Sequence, residues 1–224
     1  MSIISIILIY LRTVPLGIFS AAKKDSLMDQ GISTTLFILY SLPNFWVATL
    51  LILFFGGGDF FDIYPANGVG QLEPTMSWIQ QFWTRTHFLI LPVICFTYGG
   101  LAFLSRQMRG AMINTLSQDY IRTARAKGLN EEAVLWKHSL KNSLIPIITL
   151  FANVFPLLIS GAVIIEFKFT IPGMGKTAYE ALLARDYPVV YTIVMFSAIL
   201  TLIGYLIADI LYAWVDPRIK FDKK

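Results

Sequence analysis

The stretch QDYIRTARAKGLNEEAVLWKHSLKNSLIP, Gln118 to Pro146, lies between long apolar runs and reads as two short helices joined by a tight corner. Gly128 supplies the corner, because a helix ends most cheaply on a residue that tolerates the left-handed conformation, and Leu129 then folds back onto the finished helix. Arg122, Arg125 and Lys127 sit where positive charge complements the carbonyl end of the first helix. Asn130 is placed to cap the second helix, with Glu131 and Glu132 in its first turn. Ala133, Trp136, Leu140 and Leu144 follow at spacings of three and four, which predicts one apolar stripe. The expected product is a compact helix-corner-helix knob tied to the membrane at Pro146.

The runs around the knob set the class. The chain has 224 residues, of which 56% are hydrophobic and only 14% charged, and its mean hydropathy is +0.64, so the predicted fold is all-α and polytopic in a membrane. The formal net charge of +4 does not indicate nucleic acid, since the basic residues lie in short segments between apolar runs. Cys95 is the only cysteine, which excludes an intramolecular disulfide and a cysteine-based metal cluster.

Five spans are expected, at about 2–22, 30–55, 87–104, 144–165 and 189–214, within a single transmembrane domain covering 1–224. The first carries Arg12 and Pro15; a cleaved signal peptide ranks second there, because no Lys or Arg precedes the run. Pro43-Asn44 is expected to kink the second, and 87–104 is the shortest. Between the second and third lies a loop with Asp59, Asp62 and Glu73 and an aromatic face at Trp78, Phe82 and Trp83, suited to headgroup level. Arg106 and Arg109 open the basic loop, 105–143. Placing that loop in the cytoplasm collects Lys23, Lys24, Arg106, Arg109, Arg122, Arg125 and Lys127 on one side. Lys137, Lys141, Arg218, Lys220, Lys223 and Lys224 join them, against Arg85, Lys168, Lys176 and Arg185 opposite.

The knob resembles the cytoplasmic coupling loop of ABC-type importer permeases, whose shared pattern is E-A-A, three residues, then Gly. Here the pattern reads Arg122, Thr123, Ala124 and Gly128, and the usual closing Leu-Pro is Leu140 and Lys141. With DYIRTARAKGL and the later RDYPVV, these departures are similar to the oligopeptide/dipeptide (peptide/nickel) branch, over about Pro15 to Arg218. The resemblance implies a type I importer permease in the bacterial inner membrane, forming half of a substrate path, most simply for peptides. Arg122, Thr123, Ala124, Gly128, Leu129, Glu131, Glu132, Trp136 and Leu140 would engage the ATPase. Its implied partners are a homologous second permease subunit, two cytoplasmic ABC ATPase subunits and an extracytoplasmic substrate-binding protein. ATP and Mg would be used by the ATPase, with no cofactor on this chain. The family normally has one more span and a large external loop ahead of this point, so an amino-terminally truncated copy is expected.

Other signals are weaker. Gly173-Met174-Gly175-Lys176-Thr177 imitates a phosphate loop, but Thr170 stands where its first Gly belongs and Pro172 lies inside it, so we read it as a decoy; the resemblance implies instead a turn and a short helix in this external stretch, at 178–185. His87 and His138 are expected on opposite membrane faces, which rules out a shared metal or catalytic site. Asn44, Thr149, Asn153 and Ser160 carry two readings side by side, a polar translocation path and ordinary interhelical hydrogen bonding. Asp209 in the last span supports the alternative function, an ion-coupled carrier, although a solvated boundary residue ranks ahead of it. An intramembrane enzyme ranks last, since no nucleophile and base converge.

Overall fold

The computed structural model describes residues 1–57 and 60–215, apart from the side chains of residues 159 and 160. Asp59, Arg218, Lys220, Lys223 and Lys224 lie outside the described residues. The long apolar runs become helices because a chain without water must satisfy its backbone within each segment. They are α1 (Ser2–Ala22), α2 (Leu27–Ser41), α3 (Asn44–Phe55), α4 (Trp78–Leu116), α8 (Ile145–Phe151), α9 (Val154–Ser160) and α12 (Tyr187–Val215). The remaining helical pieces are α5 (Asp119–Ala126), α6 (Glu131–Ala133), a π-helical turn at Val134–Ser139, α7 (Leu140–Ser143), α10 (Val163–Lys168) and α11 (Met174–Ala184). By length and composition α1, α4 and α12 can each cross a membrane, and counting each pair split by a short gap (α2 with α3, α8 with Val154–Lys168) as one span gives five. The protein is therefore an all-helical, polytopic membrane protein.

Three expectations change in detail. The run 87–104 is not a short span, because α4 continues unbroken through Pro92 over 39 residues. At about 1.5 Å per residue it is roughly twice as long as the about 30 Å hydrocarbon core. Trp78, Phe82 and Trp83 thus ride on its first turns, and Arg106 and Arg109 on its extension, not in a loop. At 30–55 the expected kink is a full break: Pro43 is extended (φ −64°, ψ 135°) and caps α3, since proline lacks an N–H and bars helix in the residue before it. The fourth run divides at Ala152-Asn153 and again at Gly161, whose φ is +61°.

The residues group into two compact units. One comprises Met1–Leu8, Ser41–Gly100 and Pro156–Ala198. In it the Leu42 carbonyl, freed by the break, accepts a hydrogen bond from the Tyr98 hydroxyl at 2.8 Å. A long loop is clipped by Gly68 N–H donating to the Phe169 carbonyl (2.8 Å) and by Thr170 Oγ1 donating to Asn67 Oδ1 (3.2 Å).

The other comprises Ile9–Tyr40, Leu101–Phe155 and Ile199–Lys224. Its core packs Ile18 and Ala21 of α1 and Met108 and Met112 of α4 against Ile147 of α8. Ile148 and Ala152 of α8 meet Ala208 and Val215 of α12. Gly204 lets the α12 backbone lie directly on the Ala152 carbonyl.

Candidate functional site

Within that second unit α5 begins after Gln118 and ends at Lys127, and Gly128 turns the corner at φ +78°. The corner is closed by Gly128 N–H to the Arg125 carbonyl (2.9 Å) and Leu129 N–H to the Ala124 carbonyl (3.4 Å). A Cβ at Gly128 would meet nothing within 4 Å, so glycine is needed there for its dihedral alone. Asn130 Oδ1 accepts from Ala133 N–H at 2.8 Å, which caps the second helix. Across the corner Arg125 holds Glu131 through Nε (2.7 Å) and Nη2 (3.1 Å). This hydrogen bonding, more than the general attraction of the charges, keeps the Glu131 carboxyl below its ordinary range.

The knob has a buried base and an exposed rim. Ile121, Ala124 and Val134 form its own small core with Leu116. Asn142 Nδ2 donates to the Tyr120 hydroxyl at 2.7 Å, tying α7 to α5 within the knob, and Ser143 Oγ lies 2.9 Å from Thr115 Oγ1, fixing the knob to the end of α4. Arg122, Thr123, Glu131, Glu132, Leu129 and Trp136 face outward, the last two each 40% exposed. The single apolar stripe is corrected here. The π-helical turn inserts extra backbone, so Val134, Ser139 and Ser143 are buried, while Trp136 stays outside and Leu140 and Leu144 pack on the α1–α4 core. Ala124, expected at the interface, lies 7% exposed in the base.

The polar residues of the spans are engaged differently. Asn44 Oδ1 lies 2.7 Å from the Tyr98 hydroxyl, which also donates to Leu42. Thr149 Oγ1 bonds the Ile145 carbonyl (3.1 Å) and also contacts the Tyr212 hydroxyl. Both thus make the interhelical bonds of the plainer reading, and Asn153 is exposed. The side chain of Ser160 lies outside the described residues. Asp209 and Arg12 are exposed on α12 and α1. Among the described residues no three His, Cys, Asp or Glu side chains form a metal-binding group.

Two carboxylates escaped the sequence reading. Asp29, which lies just before the second expected span, is 2% exposed and takes Arg109 Nε (2.7 Å) and Nη2 (2.5 Å), with the Ser20 hydroxyl at 2.5 Å. Glu166, which directly follows the fourth expected span, is 3% exposed; its Oε1 accepts from Ala162 N–H (3.1 Å) and its Oε2 from Lys176 N–H (2.7 Å). The second contact makes Glu166 the cap of α11, which starts at Met174, earlier than the 178–185 helix expected. The Gly-Lys-Thr sequence thus spends its backbone donor on this chain's own carboxylate, and Lys176 Nζ lies 3.8 Å from Glu180. No spacing rule points to Glu166, whose partners are main-chain groups.

Residues 13–221 match the family model described as binding-protein-dependent transport system inner membrane component. The chain is 42% identical to the oligopeptide transport system permease protein AppB of Bacillus subtilis (strain 168), covering 98% of this chain and 67% of that protein. It is 37% identical to the di/tripeptide transport system permease protein DppB of Pseudomonas aeruginosa (strain UCBPP-PA14), over 92% and 65%. It is 35% identical to the inner membrane ABC transporter permease protein YejB of Escherichia coli O157:H7, over 97% and 60%. The chain thus spans 60% to 67% of the length of these relatives.

Proposed function

This chain belongs to the family of binding-protein-dependent transport system inner membrane components, and from that premise we propose that it is the permease subunit of an ATP-driven peptide importer. It is a multi-pass inner-membrane protein that forms half of the translocation path, the other half coming from a homologous second permease. An extracytoplasmic binding protein delivers the peptide. Two cytoplasmic ATPases use ATP and Mg; this chain is a transport subunit.

The observation that carries this reading is the knob, a rigid corner with its base fixed to α4 and its charged and aromatic rim outward. Such a rim suits docking into an ATPase groove, with Trp136 as the apolar anchor and the Arg122, Arg125, Glu131 and Glu132 charges setting register. Closure of the two ATPases would draw two such knobs together and switch the attached spans between inward-open and outward-open states. The test is purification of the tagged chain from its membrane in mild detergent. Recovery of an ATPase and a second permease, with the ATPase lost on Trp136→Ala, is expected; undiminished ATPase recovery with Trp136→Ala removes its anchoring role. A chain that transports with no ATPase recovered overturns the reading.

A further inference from the structure

Within the unit that carries the knob, α2 and α4 enclose a groove. Ser33, Thr34 and Phe37 form one wall and Arg106, Arg109 and Gly110 the other, around a cavity of about 480 Å³. A second cavity of about 370 Å³, against Tyr40, Phe103 and Gln107, shares Arg106. Arg106 therefore stands between the two. Its guanidinium is 5.9 Å from the Phe37 ring centroid and 6.0 Å from that of Tyr40.

The two arginines of this groove are in opposite states. Arg109 is neutralised by Asp29 through two hydrogen bonds. Arg106, three residues along, has no carboxylate within 4.0 Å among the described residues. Arg106 is exposed on the extension of α4, so solvent carries its charge, and the two rings flank it without neutralising it. The groove thus offers an exposed, unneutralised guanidinium beside hydroxyl groups, a combination suited to an oxyanion.

We propose that this groove binds the terminal carboxylate of the translocating peptide, with Arg106 as its partner; this rests on the peptide-permease reading. A guanidinium grips a carboxylate through paired N–H donors. The hydroxyls of Ser33 and Thr34 and the Gln107 amide offer hydrogen bonds to the adjoining peptide backbone. Gly110 leaves the floor open, since a Cβ there would meet nothing within 4 Å. Every linear peptide with an unmodified end carries this carboxylate whatever its side chains. A permease that passes varied sequences gains a common handle from it.

The experiment uses the assembled transporter in nanodiscs of neutral lipid, with Thr34→Cys as the reporter; the native Cys95 is buried. Sulfonatoethyl methanethiosulfonate is expected to label Thr34→Cys at least about fivefold faster than the trimethylammonium reagent, because the site field favours anions. A tripeptide free acid slows labelling, and its carboxamide does not. Arg106→Gln abolishes both effects, and Arg106→Lys keeps the charge preference. Equal protection by acid and amide, or a preference indifferent to Arg106→Gln, overturns the proposal. So does protection by phosphatidylglycerol nanodiscs that the peptide acid does not increase, which assigns the groove to a lipid headgroup. ATP-driven tripeptide uptake by the same complex reconstituted in sealed proteoliposomes separates the failures. Uptake without acid-specific protection overturns the groove alone, and absence of uptake overturns the peptide reading with it.

Discussion

The corner at Gly128 and the turn around Glu166 both redirect a helix within a few residues, and they do so by opposite means. At Gly128 the φ of +78° is met by the residue type alone, in open space, and the carboxylate that braces the corner is on the surface. Around Glu166 the backbone closes on a buried carboxylate, and a Cβ at Gly161 or Gly173 would run into it. The first corner leaves its charges accessible and holds itself with short-range caps. The second uses its charge internally and offers nothing outward. A corner that must meet another protein is served by the first design, and one that must hold chain in place by the second.

The largest expected effect breaks the second design. Glu166→Ala leaves the Ala162 and Lys176 N–H groups without their acceptor in a buried site. Each such orphan costs about 1–3 kcal/mol, so a loss of about 2–6 kcal/mol is expected for the two in denaturant unfolding of the purified protein. Glu166→Gln keeps one carbonyl oxygen and is expected to lie between. A loss below about 1 kcal/mol for Glu166→Ala would mean that water substitutes for the carboxylate, and the contrast between the corners would fall.

Gly128 is expected to give a smaller loss of stability and a larger loss of function. With open space around it, Gly128→Ala is penalised only by the left-handed dihedral, at about 1 kcal/mol, and Gly128→Val somewhat more because its branched Cβ resists that region. Membrane insertion is expected to be unchanged, while Gly128→Val lowers ATP-driven uptake per ATP hydrolysed well below Gly128→Ala. Equal coupling in the two variants would show that the corner's stiffness does not transmit force.

The difference between the corners also explains what was legible in the sequence. Gly128 and Asn130 follow local rules, in which a cap acts on a neighbour three residues away, and the structure places both as expected. The apolar character of the runs was legible for the same reason, since composition is local, although three helices are long enough to span and five are reached only with each broken pair counted as one. The stripe through Trp136 failed because spacing rules assume a constant period. The π-helical turn at Val134–Ser139 breaks it, and one added residue rotates the following face by about 100°. The extent of α4 failed because a helix continues wherever its backbone is satisfied, whether or not its residues are apolar. Asp29 and Glu166 were out of reach. Their partners are an arginine 80 residues away and main-chain donors, neither of which leaves a pattern. Of the candidate path residues, Asn44 and Thr149 gave no sign of which polar group would claim them.

The smallest expected effect tests whether the exposed brace matters. The Glu131 side chain is 63% exposed, so its bidentate pair with Arg125 is screened and Glu131→Gln is expected to cost no more than about 0.5 kcal/mol. The sign of its pH dependence follows from the depressed carboxyl. Below its folded-state pKa, Glu131 is protonated in both folded and unfolded chains and the pair contributes nothing. Above the unfolded carboxyl's ordinary value the contribution is fully present, so it disappears as pH falls through the depressed one. At neutral pH the knob should therefore be insensitive to small pH changes through this pair. Unfolding followed from neutral to acid pH, in the wild type and in Glu131→Gln, is expected to converge at the acid end. A Glu131→Gln loss approaching that of Glu166→Ala would mean that the Gly128 corner is held by its charge pair after all, and that the two corners share one design.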